Sequence, residues 1–438
     1  MNILSVDFGT SSLKMTLIDE KGDFLRAVKV EYPYEADDMK LQIEAERIYN
    51  AFVKACGQLT PEERASVGGM AFCVFSPCLI ALDSEGNPLY PAILHIDRRS
   101  YAQSERAVKN VGKETFHRIN GNLPFAGGIS CTSMMWIKDE YPEIYKKTYK
   151  FGHLNTFMHR RFTGEWLIEP TNASFTGLYE TLKVGGWSEE LCHGTGIDIN
   201  KLPDIRPTLS MSGYLTERVA KDTGLKQGLP VITGSNDSSA ASFGAGAVNS
   251  GDIMNIAGSS EIMNVTVDHP IPNDGYYIRT SVEEGKWLYL SITSGGFSIE
   301  WFRQIFCSEM DKSYFYNDYI TSVIKKDPKP FLHFAPHLAG DRHSLEMRRG
   351  AFEGLTLDTT REDMLLVLLL GTFEPLVNLI NLSRTHVKLN PDIYLTGGLN
   401  SEGYRQFKNR VFDGFNFVSK TECSTRGNFK QAKRVLGF

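Results

Sequence analysis

One short unit occurs near both ends of the chain, and it restricts the possible fold more than any other feature. At the start, Ile3-Leu-Ser-Val-Asp7-Phe-Gly9-Thr10-Ser11-Ser12-Leu-Lys14 is an apolar strand, an acidic residue and a glycine–hydroxyl turn, and Met15 to Asp19 continues as a second strand. About 250 residues later, Ile253-Met-Asn-Ile-Ala257-Gly258-Ser259-Ser260-Glu261-Ile-Met has the same form. Glycine lets the backbone approach an anion, while its neighbours offer amide and hydroxyl donors, so each turn is a candidate phosphate nest. Asp7, beside the first turn, suits Mg²⁺, which keeps most of its waters and takes few carboxylates. Between the copies, Val231-Ile-Thr-Gly234-Ser-Asn236-Asp237 leads from a strand through a tight turn into a small-residue helix ending at Gly246. That turn presents a carboxylate at a strand end, where ligands of open α/β sheets gather. Asp237 there is either a general base for a substrate hydroxyl or simply the N-cap of the helix.

The order and spacing of these segments resemble the FGGY family of carbohydrate kinases, over Asn2 to about Gly427. Asp7 to Lys14 resembles the family's first phosphate motif, and Gly258-Ser259-Ser260 its second. Gly234-Ser-Asn-Asp237 resembles the segment with the catalytic aspartate, and Leu395-Thr-Gly397-Gly398-Leu-Asn400 the adenosine motif. Arg349 to Leu355 and Trp187 to Leu191 match further landmarks. The resemblance implies two ribonuclease H-like α/β domains of the actin/hexokinase type, 1–246 and 247–438, with a central cleft. It also implies ATP and Mg²⁺, the metal near Asp7. The phosphates would lie on Gly9, Thr10, Ser11, Ser12, Lys14, Gly258, Ser259 and Ser260, and the adenosine on Gly397, Gly398 and Asn400. Asp237 would take the proton from a sugar or polyol hydroxyl.

The sugar contacts implied are His95, Asp97, Arg99, Asn172, Asn236 and Asp237. Relatives carry Trp-x-Asp-x-Arg where this chain reads His95-Ile-Asp97-Arg98-Arg99. A carboxylate and a guanidinium one residue apart can grip adjacent hydroxyls, or form a surface ion pair of little worth. His95 replaces the tryptophan, and Cys73-Val-Phe-Ser-Pro-Cys78 replaces a polar Gln- and His-containing stretch. Both departures point away from D-xylulose as substrate. His333, His337 and Asp341 have metal-like spacing, but Pro336 interrupts any continuous helix through them.

Other segments read locally. Leu41 to Cys56 has helical spacing, and Thr60-Pro61-Glu62-Glu63 is a capping box with proline at N1. Thr359-Thr360 opens a long apolar helix, to about Ile380, whose all-round apolar character predicts burial between layers. The C-terminal helix, with Arg426-Gly427-Asn428-Phe429-Lys430 where relatives have Gly-Ala-Ala, reads as short, basic and of uncertain packing.

Length suits two or three domains. The net charge of −5 gives no basic footprint for nucleic acid. Seven cysteines without a Cys-x-x-Cys pair suit reduced thiols in a cytoplasm. The N-terminus lacks the pattern of a signal peptide, and the longest apolar run, Met364 to Leu370, is too short for a bilayer. The expectation is a cytoplasmic, membrane-free protein, with a homodimer left open. No Gly-x-x-x-x-Gly-Lys-Ser/Thr occurs, which excludes a P-loop kinase. Two rival readings remain at this stage: an ATP-gated binding protein of the same superfamily, and a sugar sensor with weakened catalysis.

Overall fold

The computed structural model describes residues 1–37, 39–338, 340–341 and 344–438. Both repeated units are β-hairpins, and each begins a sheet. In the first half, β1 (Asn2–Phe8), β2 (Ser12–Ile18) and β3 (Phe24–Glu31) run antiparallel. Helix α1 (Ala45–Cys56) then returns the chain to β4 (Val67–Val74), parallel to β1. After α2 (Leu154–Thr163), strands β5 (Met211–Tyr214) and β6 (Pro230–Ile232) complete the order β5-β6-β4-β1-β2-β3, and the short pair Ser235–Asn236 extends β4.

Helix α3 (Asp237–Ala245) leads into the second half, where β7 (Ile253–Ala257) and β8 (Glu261–Val267) form the second hairpin. Strands β9 (Tyr277–Thr280) and β10 (Trp287–Thr293) add antiparallel neighbours. Helices α4 (Gly295–Phe306) and α5 (Arg361–Arg384) follow. Strand β11 (Asp392–Thr396) lies parallel to β7, and α6 (Glu402–Val411) leads to β12 (Asn416–Ser419), parallel to β11. The second sheet reads β9-β10-β8-β7-β11-β12. In both halves the hairpin strands are antiparallel, and a later strand, β4 in one and β11 in the other, joins the far side of the first strand in parallel. This is the ribonuclease H-like duplication, and each half has its own apolar core, around Phe8, Phe52, Phe72 and Phe162 in one and Phe302, Phe373 and Phe407 in the other.

The expected capping box is formed, with Thr60 accepting from the Glu63 amide and Glu63 accepting from the Thr60 amide. Residues 41–43, read as the start of a helix, instead form the strand Lys40–Ile43. That strand joins a smaller sheet with Ala92–Leu94 and Cys78–Leu82, and edge pairing outweighs local helical spacing there. Helix α5 is longer than its apolar run suggested. Among the described residues it alone has the length and composition to cross a bilayer, but most of its apolar window is buried inside the protein, against α4 and β10.

The largest departure is the C-terminus. Helix α7 (Cys423–Leu436) is 14 residues long and leaves the second sheet to pack on α3, β1 and β4. A division at residue 246 would place it with the second half, whereas its apolar side, with Ala432, Phe429 and Leu436, joins Ile3, Ala71 and Ile232 of the first. Gly244 and Gly427 make the crossing possible. A Cβ on Gly427 would lie 2.0 Å from the Ala240 carbonyl oxygen, and one on Gly244 would lie 1.8 Å from that of Cys423. Helices α3 and α7 thus form the shared layer between the halves, and the N-terminus of each borders the cleft.

Candidate functional site

The hairpin turns face one another across the cleft. In the first, the Gly9 amide donates to the Ser12 carbonyl at 2.9 Å; in the second, the Gly258 amide donates to the Ser260 carbonyl at 3.0 Å. Between them lies a cavity of about 290 Å³. Gly9, Thr10, Ser11 and Ser12 line it on one side and Gly258, Ser259 and Ser260 on the other. Its walls include Phe75, Ser76, Pro77, His95, Phe175, Asn236, Asp237, Tyr277 and Arg279. A second cavity of about 380 Å³ is lined by Asp7, Lys14, Asp237, Gly397, Asn400, Lys420, Glu422 and Ser424, among others. A third, of about 560 Å³, runs from Gly258 and Ser259 past Gly296 and Tyr316 to Gly398 and Leu399.

Asp237 borders both the first and the second cavity. The turn that places it needs glycine at 234, where φ is +66° and a Cβ would lie 2.0 Å from the Phe72 carbonyl oxygen. Asn236, not Asp237, caps α3, accepting from the Ser238 and Ser239 amides at 3.2 and 3.4 Å. The N-cap position thus falls one residue before Asp237, whose Oδ1 shares the Ser238 amide at 2.6 Å while its side chain borders the cleft. Burial, then the negative charge of Asp7, push its pKa up to about 7, against the opposing pull of Arg279. Such a group exchanges protons near neutrality.

Asp7 accepts from the Ser424 hydroxyl at 2.5 Å and the Cys73 thiol at 3.4 Å. Burial raises its pKa, those hydrogen bonds and Lys14 opposing. Lys14, opposite Asp7 in the hairpin register, pairs with Glu422, which heads α7 in the left-handed region at φ 54°. The acids Asp7, Asp237 and Glu422 outnumber the bases Lys14 and Lys420 around the second cavity. Carboxylate and hydroxyl oxygens of this kind fit a hard divalent cation that keeps part of its water. Among the described residues, no cluster of three metal-ligating side chains occurs; Asp341 lies 3.9 Å from His337 and 3.5 Å from the Arg348 guanidinium.

Three of the expected sugar contacts do not line the cavity. Asp97 is fully buried and accepts from the Leu41 amide at 2.7 Å, the Arg99 amide at 2.9 Å, and the Arg99 guanidinium at 2.7 to 3.0 Å. Arg99 spends its remaining donors on Tyr90 and Gln42 and stacks on Trp136. A carboxylate with its lone pairs so occupied has none left for a hydroxyl. The pair is no surface bridge; it forms a buried brace. Asn172 is also wholly buried, donating to Glu169, which accepts from the Thr171 and Asn172 amides as well and whose pKa burial raises to about 7. His95 does line the cavity, its ring 5.9 Å from that of Phe75.

Sequence reasoning missed Arg279. It rises from β9 of the second sheet and is 1% exposed. Its Nη1 donates to Asn236 Oδ1 at 2.6 Å, and its Nη2 to Ser238 Oγ at 2.6 Å and Asn264 Oδ1 at 2.8 Å. The available signal was a lone arginine directly after the apolar strand segment Tyr276-Tyr277-Ile278.

Known proteins resemble this chain in sequence and in fold. A xylulose kinase of Staphylococcus xylosus is 26% identical over 419 residues, covering 94% of this chain and 86% of the relative. A gluconokinase of Bacillus subtilis is 26% identical over 429 residues, covering 94% and 83%. The solved structure of a ligand-bound xylulose kinase from Lactobacillus acidophilus superposes with a TM-score of 0.87 at 22% identity, covering 100% of this chain and 89% of that one, a likeness of fold. Residues 2–244 match the N-terminal domain of the FGGY family of carbohydrate kinases. With two facing glycine–hydroxyl hairpins in a duplicated fold and this match over more than half its length, the chain belongs to that family and is a phosphotransferase acting on a carbohydrate.

Proposed function

We propose that the protein transfers the γ-phosphoryl group of ATP in line to a hydroxyl of a sugar, polyol or sugar acid, with Asp237 as general base. The observation that carries this reading is the position of Asp237 at the border of two cavities. The acceptor binds against the Phe75, Phe175 and Tyr277 wall of the first cavity, and the phosphates run from the glycine–hydroxyl turns at its rim toward the second, so the carboxylate meets the hydroxyl where the phosphoryl group arrives. Asn236 and His95 face the acceptor. Thr10, Ser11, Ser259 and Ser260 offer donors to phosphate oxygens, and the cavity beside Gly398 takes the adenosine. Asp7, with Asp237 nearby, would hold Mg²⁺, whose charge offsets that of the phosphates. Few groups need act chemically, because phosphoryl transfer rests on positioning and electrostatics. A cytoplasmic site of action agrees with seven free, buried cysteines.

The acceptor wall is apolar over Phe75, Pro77, Phe175 and Tyr277, with Ser76 and His95 as polar breaks. A substrate hydroxyl left unpaired there costs about 1–3 kcal/mol. D-Xylulose is therefore expected to be poor, and another ketose, sugar acid or polyol preferred. ADP release measured over a panel of these compounds tests the reading. Release that depends on one compound supports a kinase. Release indifferent to every compound, or none at all, favours the ATP-gated or sensing alternatives, and D-xylulose as best substrate would overturn the account of the wall.

A further inference from the structure

We infer that Arg279 is a positioning residue for phosphoryl transfer: a latch by which the second half of the protein holds the Asn236-Asp237-Ser238 turn of the first. The inference rests on Asp237 being the base. Arg279 grips both neighbours of Asp237 at 2.6 Å and is itself fixed by Asn264, a residue of β8, at 2.8 Å. Its guanidinium lies 5.3 Å from the centre of the Phe175 ring. Asn264 adds its own grip, donating to the Ser238 carbonyl at 3.2 Å and the Ser242 hydroxyl at 2.9 Å.

The acceptors on the turn are bound from the first half too. Asn236 Oδ1 receives the Ser238 hydroxyl at 3.0 Å besides the cap amides, and the Asn236 amide donates to Thr171 Oγ1 at 2.7 Å. Asn236 Oδ1 thus joins a cap, a hydroxyl and a cation, and its rotation would release all of them. A planar fork holds such a turn in one orientation, because two parallel donors from one rigid group fix both distance and angle. Lysine in its place would supply the charge and three donors, but on a freely rotating ammonium rather than a rigid fork. Burial opposes the charge on Arg279, and Asp237 and Glu169 support it. An arginine engaged by its flanking bonds acts on the base through the turn, without touching the reacting atoms.

Three variants, Arg279→Met, Arg279→Lys and Ser238→Ala, separate this role from plain adhesion between the halves. With the best sugar of the panel, Arg279→Met should lower kcat by about 10²-fold, the order expected when a reacting group is misplaced by about 1 Å. The KM for ATP should stay within about threefold. Arg279→Lys should recover part of kcat, and Ser238→Ala should lose several-fold. In an Asp237→Asn background, Arg279→Met should cost less than about threefold more, since its effect runs through the missing carboxylate. Losses that multiply independently in the double variant, or kcat within twofold of the parent in Arg279→Met, overturn the inference while leaving the base intact. An active Asp237→Asn enzyme overturns the base reading itself. Should Arg279→Met fail to fold, Arg279→Lys and Ser238→Ala carry the same comparison, each alone and with Asp237→Asn.

Discussion

The protonation of Asp237 should be visible in the pH dependence of turnover. An ordinary aspartate, with a pKa of 3.8, would be ionised throughout the usual assay range, but burial and Asp7 bring this one to about 7. If the ionised form is the base, the active fraction at pH 6 is about one tenth of the plateau, and at pH 5 about one hundredth. kcat/KM should then fall about tenfold per pH unit below 7. A normal aspartate would give a flat profile to below pH 5. Measurement at saturating ATP and Mg²⁺, with buffers of constant ionic strength and a coupled assay checked at each pH, gives the limb directly. Asp237→Asn should remove it and lower kcat by about 10²–10⁴-fold. A limb below pH 5, or an Asn variant with more than half the parental rate, would refute the assignment.

Asp97→Ala should destabilise the fold by about 3–5 kcal/mol, because it leaves the buried Arg99 unpaired; chemical denaturation checks this, and a raised sugar KM at unchanged stability would restore the sugar-clamp reading. His153 and His159, both wholly buried, have pKa values lowered to about 3 by burial. The unfolded chain binds protons near pH 6.5 that the folded chain refuses, so stability is full above pH 6.5 and falls with acid, by about 2 kcal/mol per histidine at pH 5; denaturation midpoints at pH 7.5 and 5.0 measure the loss, other groups being compared through His159→Gln. Gly427→Ala should cost about 1–3 kcal/mol, since its Cβ would meet the Ala240 carbonyl oxygen at 2.0 Å and force α3 and α7 apart; an unchanged melting temperature would contradict the close crossing. Chelation with EDTA should abolish sugar-dependent ADP release and excess Mg²⁺ restore it, with Asp7→Asn requiring more metal; a rate indifferent to chelator would rule out the metal near Asp7.

Much of the fold was legible because its units are local. The sequence Asp7-Phe-Gly9-Thr10-Ser11-Ser12 carries its own strand ends and turn, and so does Ala257-Gly258-Ser259-Ser260. Thr60 and Thr360 announce helix starts through capping boxes that span only four residues. What failed was whatever depends on distant partners. Lys40–Ile43 is a strand because Ala92–Leu94 lies beside it, and α7 packs on the first sheet because Gly244 and Gly427 let two backbones touch. Neither contact leaves a mark within a dozen residues of sequence.

The candidate site divides along the same line. Asp237 could be read because strand, turn and helix are consecutive, so its place at a strand end follows from local geometry. Asp97 and Arg99 lie outside the cavity lining although they too are nearly adjacent, because the question there was where a side chain points, and that is decided by Leu41, Gln42, Tyr90 and Trp136. A charged pair looks the same in sequence whether it grips a ligand or braces a loop. Burial separates the cases, since the brace has every acceptor lone pair occupied by protein. Arg279 is the converse: isolated in an apolar strand, it had no neighbour to suggest a role, yet three of its hydrogen bonds meet at and beside the base turn. A charge placed alone on a buried strand requires a partner elsewhere, because an unpaired guanidinium does not survive burial. The partner's position, more than the charge itself, determines whether such a residue serves stability or the site, and here two of the three acceptors flank Asp237.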